Sequence, residues 1–191
     1  MRLILASAVV FTLALSACSG NSPSGPSGPT GSFNLMLKDS PFSDAKAVLV
    51  TFSAVTAHRD SDTDFTTVPF AGGATTRTCN LKKLETAQDL LGVGTLPAGR
   101  YTQVRLVVSS ATLYFDNVAA GDACAATVTP PSGRSASLDI PSGEVKLNRP
   151  FEVKEGGATT MLLDFDGDRS IRETGNGRFM MTPVIAVVSV Q

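Results

Sequence analysis

The 191-residue chain has no tryptophan, one histidine, three cysteines and only 6% aromatic residues. With so few rings it offers no evident platform on which a sugar or base could stack. The lone histidine, His58, sits at a strand end beside Arg59 and Asp60. One imidazole in that setting is a poor start for acid–base catalysis, and a surface role is the simpler reading. No serine occupies a G-x-S-x-G elbow, and no glycine-rich phosphate loop is present. Lysine and arginine number 16 against 17 acids, without clustering. That balance argues against a nucleic-acid face or an anionic-membrane face. Beyond the N-terminus no run approaches the ~20 apolar residues that a spanning helix needs.

What the chain does have begins at its first residues. Arg2 precedes an apolar run from Leu3 to Leu15, and Leu15-Ser16-Ala17-Cys18 follows the pattern of a bacterial lipobox. The run has the length of a signal-peptide core and is too short for a transmembrane anchor. The competing reading is a coincidental cysteine after an ordinary secretory signal. Residues 1–17 are therefore read as a lipoprotein signal peptide, with Cys18 lipidated on its thiol and on its new amine. Several acyl chains anchor stably where one would be marginal. Residues 18–31 form the lipidated cysteine and a tether, SGNSPSGPSGPTG from Ser19 to Gly31. It has nothing to bury, and its role is reach. The expected address is a membrane outside the cytoplasm. Ser19, in place of an aspartate, favours the outer membrane in a Gram-negative cell.

Residues 32–191 have the length of one domain with a substantial core. Cys79 and Cys124 remain as a pair, read as a disulfide in an oxidising compartment, with two buried free thiols as the rival. The bond would close a loop of about 45 residues, worth on the order of 4 kcal/mol in the chain-entropy model. Short β-type runs alternate with Gly, Pro, Asn and Asp clusters. Phe33 to Lys38 alternates and ends at Asp39-Ser40-Pro41; Ala47 to Ala57 is rich in β-branched residues; in Arg100 to Ser109 the set Thr102, Val104, Leu106 and Val108 is the better core face. Later strands are expected at Thr159 to Phe165 and Val184 to Val190. Leu84 to Leu91 is the best helical segment before Gly92 and Gly94 stop it. The pattern predicts an all-β fold, an Ig-like or prealbumin-like antiparallel β-sandwich with at most one short helix.

Several blocks in one order carry a family resemblance: LPAGRYTQVRLVV (Leu96 to Val108), PSGEVKLNRPFEV (Pro141 to Val153), LDFDGDRSI (Leu163 to Ile171) and TGNGRFMMTPVIAVV (Thr174 to Val188). With KDSPF (Lys38 to Phe42), they resemble the prokaryotic lipoprotein domain known as domain-of-unknown-function family 4382. In KDSPF, lysine and serine replace the family's commoner threonine and alanine. The resemblance runs from about Ser32 to Val188. It implies a secreted, often lipid-anchored β-sandwich and assigns no activity.

The sharpest chemical candidate is Asp164-Phe165-Asp166-Gly167-Asp168. Carboxylates at alternate positions resemble the front of a calcium loop, so Asp164, Asp166 and Asp168 are candidate Ca2+ ligands. The glycine comes too early for an EF-hand, and Gly175 stands where the bidentate glutamate belongs. The alternative is an acidic turn in which Asp164 or Asp168 caps backbone amides. Asp39 either joins this cluster in space or serves as a turn initiator before Ser40-Pro41. The Tyr101 hydroxyl is expected to bond backbone at a corner. Gly175-Asn176-Gly177 and Lys154 to Gly157 read as hairpin or bend signals. These features point to a non-catalytic envelope lipoprotein that binds a partner, an envelope protein or a glycan, or stiffens an assembly. A calcium-dependent adhesion or glycan-binding module is the alternative, and a carboxylate hydrolase the third.

Overall fold

A computed structural model describes residues 28–40 and 42–191. The signal peptide, Cys18 and the tether up to residue 27 lie outside the described residues. The strands in chain order are β1 (Thr30–Ser40), β2 (Ala47–Arg59), β3 (Phe65–Thr67), β4 (Arg77–Asn80), β5 (Asp89–Pro97), β6 (Gly99–Tyr114) and β7 (Cys124–Ala125). They continue as β8 (Ser135–Asp139), β9 (Glu144–Leu147), β10 (Phe151–Val153), β11 (Ala158–Asp166), β12 (Ile171–Gly175), β13 (Arg178–Met181) and β14 (Ile185–Val190). Two single-turn helices interrupt them, α1 (Leu81–Leu84) and α2 (Gly167–Ser170).

The strands form a sandwich. One sheet has the order β14-β11-β1-β5; the other runs β12-β13-β8-β6-β2-β4-β7, with β9 and β10 also pairing β6 and β3 pairing β2. The alternation of β1 puts Phe33, Leu35 and Leu37 fully inside, with Leu35 opposite Met161 and Leu37 opposite Leu163 of the parallel β11, whose Phe165 shares the same core face. From the second sheet come Val48, Val50, Phe52 and Val55 of β2 and Val104, Leu106 and Val108 of β6. A stack of rings joins the sheets: Phe151 lies 5.2 Å from Phe33 and 5.1 Å from Tyr101 between centroids.

The all-β sandwich is as the alternation predicts, and four details differ. There are two short helices rather than at most one, each a single turn capped by a side chain: Asn80 accepts from the Lys82 amide, and Asp166 from the Arg169 amide. The sheets are not wholly antiparallel, because β1 pairs β11 in parallel and β13 pairs β8 in parallel. The helical segment expected over Leu84 to Leu91 is displaced to Leu81–Leu84, and strand β5 starts at Asp89. Gly92 and Gly94 do not stop a helix but let another chain segment approach β5. A Cβ on Gly94 would lie 2.7 Å from Pro69 Cδ, and the Val93 amide donates to Pro69 O at 2.9 Å. Finally, Thr102 is not in the core, whereas Tyr101 is fully buried. The β2–β6 register slips between His58 and Arg59, so one residue of β6 is extra and the face reverses.

The hairpin and bend signals act as read. Asn176 adopts φ 54° between Gly175 and Gly177 in the β12–β13 turn. Gly156 has φ 63° in the bend from β10 to β11.

Candidate functional site

Cys79 and Cys124 face each other in the β4–β7 register and form a disulfide across 45 residues of sequence. Both are buried. The surrounding backbone is tied down as well: Arg77 Nη2 donates to Cys124 O at 3.0 Å, and the Cys124 amide donates to Asp89 Oδ2 at 2.9 Å. This is a structural staple.

Tyr101 makes the corner bond expected of it, its hydroxyl donating to Pro97 O at 2.8 Å. Burial lifts the phenol to about 12, so it stays a donor at physiological pH. His58 lies half-buried on the outer face of β2. Its Nδ1 is 3.1 Å from Thr102 Oγ1, its ring 4.8 Å from that of Phe65, and the Arg105 guanidinium covers the same Phe65 ring at 3.7 Å.

The structure divides the acidic run 164–168 between a strand and a helical turn. Asp164 and Asp166 share the outer face of β11, with Phe165 fully buried between them, but each carboxylate has its own partner. Asp164 pairs with Lys38 at 2.8 Å and accepts from Ser40 Oγ at 3.2 Å. Asp166 caps α2, accepting the Arg169 amide at 3.0 Å. Asp168 has left the strand for the first turn of that helix, where a negative charge suits the exposed amides. Asp164, Asp166 and Asp168 are thus not gathered around a common point. Among the described residues no group of three or more His, Cys, Asp or Glu side chains could hold a metal ion. The capping alternative fits, with Asp166 as the cap rather than Asp164 or Asp168. Gly167 has a packing reason: a Cβ there would come 3.0 Å from Ser40 O and 3.1 Å from Phe42 Cβ.

Asp39, read from the sequence as a neighbour of this acidic cluster or a turn initiator, lies beside β11 and close enough to Asp164 to feel its charge. It is not a turn residue but the next step of the buried row Phe33-Leu35-Leu37, on the core face of β1 opposite Phe165. It is 5% exposed, and neither carboxylate oxygen has a hydrogen-bond partner. Burial, then the nearby Glu85 and Asp164 carboxylates, raise Asp39 from the ordinary carboxylate range to about 8. Lys82 acts in the opposite direction, as does the Ser40 amide, which does not reach hydrogen-bond geometry with either oxygen.

Asp39 lines an open depression of about 350 Å3 with Lys38, Leu84, Glu85, Thr86, Ala87 and Gln88. The end of β1 supplies one wall and the turn from α1 to β5 the other. Helix α1 is oriented by Lys82, whose ammonium donates to Phe42 O at 2.9 Å and pairs with Glu85. A buried, unpartnered carboxyl in a depression is a common mark of a site that does something. The sequence signal was present in the two-residue period of β1, which reaches Asp39 if it is not stopped at Lys38.

Among curated proteins none matches the chain. Among solved structures, a leucine-rich repeat protein from Bacteroides thetaiotaomicron aligns at 16% identity over 71% of this chain. The aligned part is 13% of that protein's length, and the TM-score of 0.27 is too low to define a shared fold. The profile of the family described as "Domain of unknown function (DUF4382)" matches residues 30–183, and the chain belongs to that family.

Proposed function

We propose that this chain is a lipid-anchored cell-envelope protein whose β-sandwich is a non-catalytic binding or structural module. The observation that carries the address is the Cys79–Cys124 disulfide. Such bonds persist in oxidising compartments and are rare where thiols are kept reduced. The lipobox ending at Cys18 and the Ser/Gly/Pro tether agree with that address. The binding reading draws on how the polar side chains are used. His58, Tyr101, Asp164 and Asp166 are committed to bonds within the fold, while Asp39 is left without a partner beside an open depression.

The test is membrane fractionation with metabolic palmitate labelling of the full chain and of Cys18→Ser. The wild type is expected in the membrane fraction carrying label. The variant should lose the label and leave the membrane. Unlabelled wild type, or a variant that stays membrane-bound, overturns the proposal.

A further inference from the structure

We propose that a second depression, at the start of α1, binds a carboxylate carried on a short aliphatic stem. This rests on the reading of the domain as a binding module and names its ligand class. A free donor, an unmatched charge and an apolar wall select that chemistry.

The donor belongs to Asn80, the last residue of β4. It is only 1% exposed, and it lines the depression. Its Oδ1 accepts the Val48 amide at 3.3 Å and the Lys82 amide at 3.2 Å. Two N–H donors on one atom settle which end of the side chain is oxygen, so the other end is Nδ2. Among the described residues Nδ2 has no hydrogen-bond partner, and it is not one of the unpartnered atoms closed to water. The slight exposure of Asn80 therefore lies at Nδ2, where the residue meets the depression. A donor held in one orientation and almost stripped of water asks for an acceptor.

The charge comes from lysines. Lys46, Lys82 and Lys83 line the depression, and no acid does. Lys82 is matched by Glu85. Lys83 donates to Gly121 O, a neutral acceptor that leaves its charge in place. Among the described residues neither Lys46 nor Lys83 enters an ion pair. Asp44 and Asp122 lie nearby in sequence, but both are exposed and neither lines the space. An anion is therefore the ligand that balances it. One oxygen of a carboxylate meets Asn80 Nδ2, and the other meets an unpaired ammonium.

The apolar wall is Val118, backed by the buried Ala45 and Ala119. Val118 is 70% exposed, the most exposed large apolar side chain among the described residues. A stem lying against it removes apolar surface from water. A depression of about 470 Å3 has room for a small ligand of this kind.

The experiment is a titration of the nitrogen-15-labelled full chain, in a nonionic detergent at pH 7, followed through the Asn80 side-chain NH2 signals in proton–nitrogen NMR spectra. Sodium butyrate is the probe; sodium acetate and inorganic phosphate are anions without the stem, and n-butanol is the stem without the charge. Butyrate should shift the Asn80 signals saturably, acetate and phosphate should bind at least about tenfold more weakly, and butanol should leave the signals in place. Asn80→Asp keeps the acceptor that caps α1, removes the donor and adds a negative charge, so it should abolish binding, read from the neighbouring Lys82 and Lys83 amides. Lys46→Gln and Val118→Asp alter exposed side chains that the fold tolerates. Each should weaken butyrate at least about fivefold, the first by removing a cation and the second by adding a repelling carboxylate. No saturable shift with butyrate, equal affinity for acetate or for butanol, or wild-type affinity in either exposed variant overturns the proposal. Fractionation tests the address separately, so a labelled, membrane-bound protein whose Asn80 signals ignore butyrate fails this proposal alone.

Discussion

Two neighbouring strands treat their acids in opposite ways. On β11, Asp164 and Asp166 stand on the outer face, where a lysine, a serine and a helix amide meet them. On β1, one register step away, Asp39 stands on the inner face beside Phe165 and meets no partner. Asp164 and Asp166 of the conspicuous run are tied into the fold, and the inconspicuous single acid is the buried one left uncommitted. Position relative to the core, rather than the number of carboxylates, decides which acid is free to act. An outer acid keeps water and finds cations, whereas an inner one is stripped of both.

That contrast can be broken or sharpened residue by residue. Phe165→Ala empties the inner face opposite Asp39 and should cost about 3–5 kcal/mol of stability in chemical denaturation. A loss below about 1 kcal/mol would mean that the inner face is loosely packed. The next effect is on pH dependence. Between the ordinary carboxylate range and about 8, the folded chain holds a proton on Asp39 that the unfolded chain has released. Stability therefore falls as pH rises through that window and is level above it. Thermal melts should show the wild type losing roughly 5 °C or more between pH 5 and pH 8 relative to Asp39→Asn. Parallel curves for the two proteins would place Asp39 in an ordinary environment.

The outer acids should matter less. Asp166→Ala removes the cap of α2 and should cost about 1 kcal/mol. Asp164→Asn loses a partly exposed ion pair and should cost less than about 1 kcal/mol, shrinking further in high salt. An Asp164→Asn cost larger than that of Asp166→Ala would reverse the order and reopen a ligand role for the outer face.

Much of this was legible in the sequence, and the failures have specific causes. Strands β11 and β14 fall within one residue of the runs expected at Thr159 to Phe165 and Val184 to Val190, and Gly175-Asn176-Gly177 makes the hairpin it announced. Tyr101 was placed on the wrong face because one extra residue in β6 reverses the alternation, and a bulge leaves no mark in hydrophobicity. The parallel pairing of β1 with β11 joins segments more than a hundred residues apart, and local pattern carries no information on such partners. Strand β5 was hidden because Gly92 and Gly94 resemble a stop signal when the reason for them, Pro69, is distant in sequence. Asp39 was read as a turn initiator or as a member of the acidic cluster, and not as the next step of the buried row, because its charge outweighed its place in the two-residue period. The three acids at alternate positions resemble one ligand set in sequence, but Asp164 and Asp166 each take a separate partner and Asp168 passes into α2, a separation that spacing alone does not show.

The most direct test is a carbon-13 NMR titration of the Asp39 side-chain carboxyl, assigned by its loss in Asp39→Asn. A midpoint near 8, far above those of the outer-face aspartates, is the predicted result. A midpoint in the ordinary carboxylate range, near 4, would contradict the account of a buried acid left without a partner.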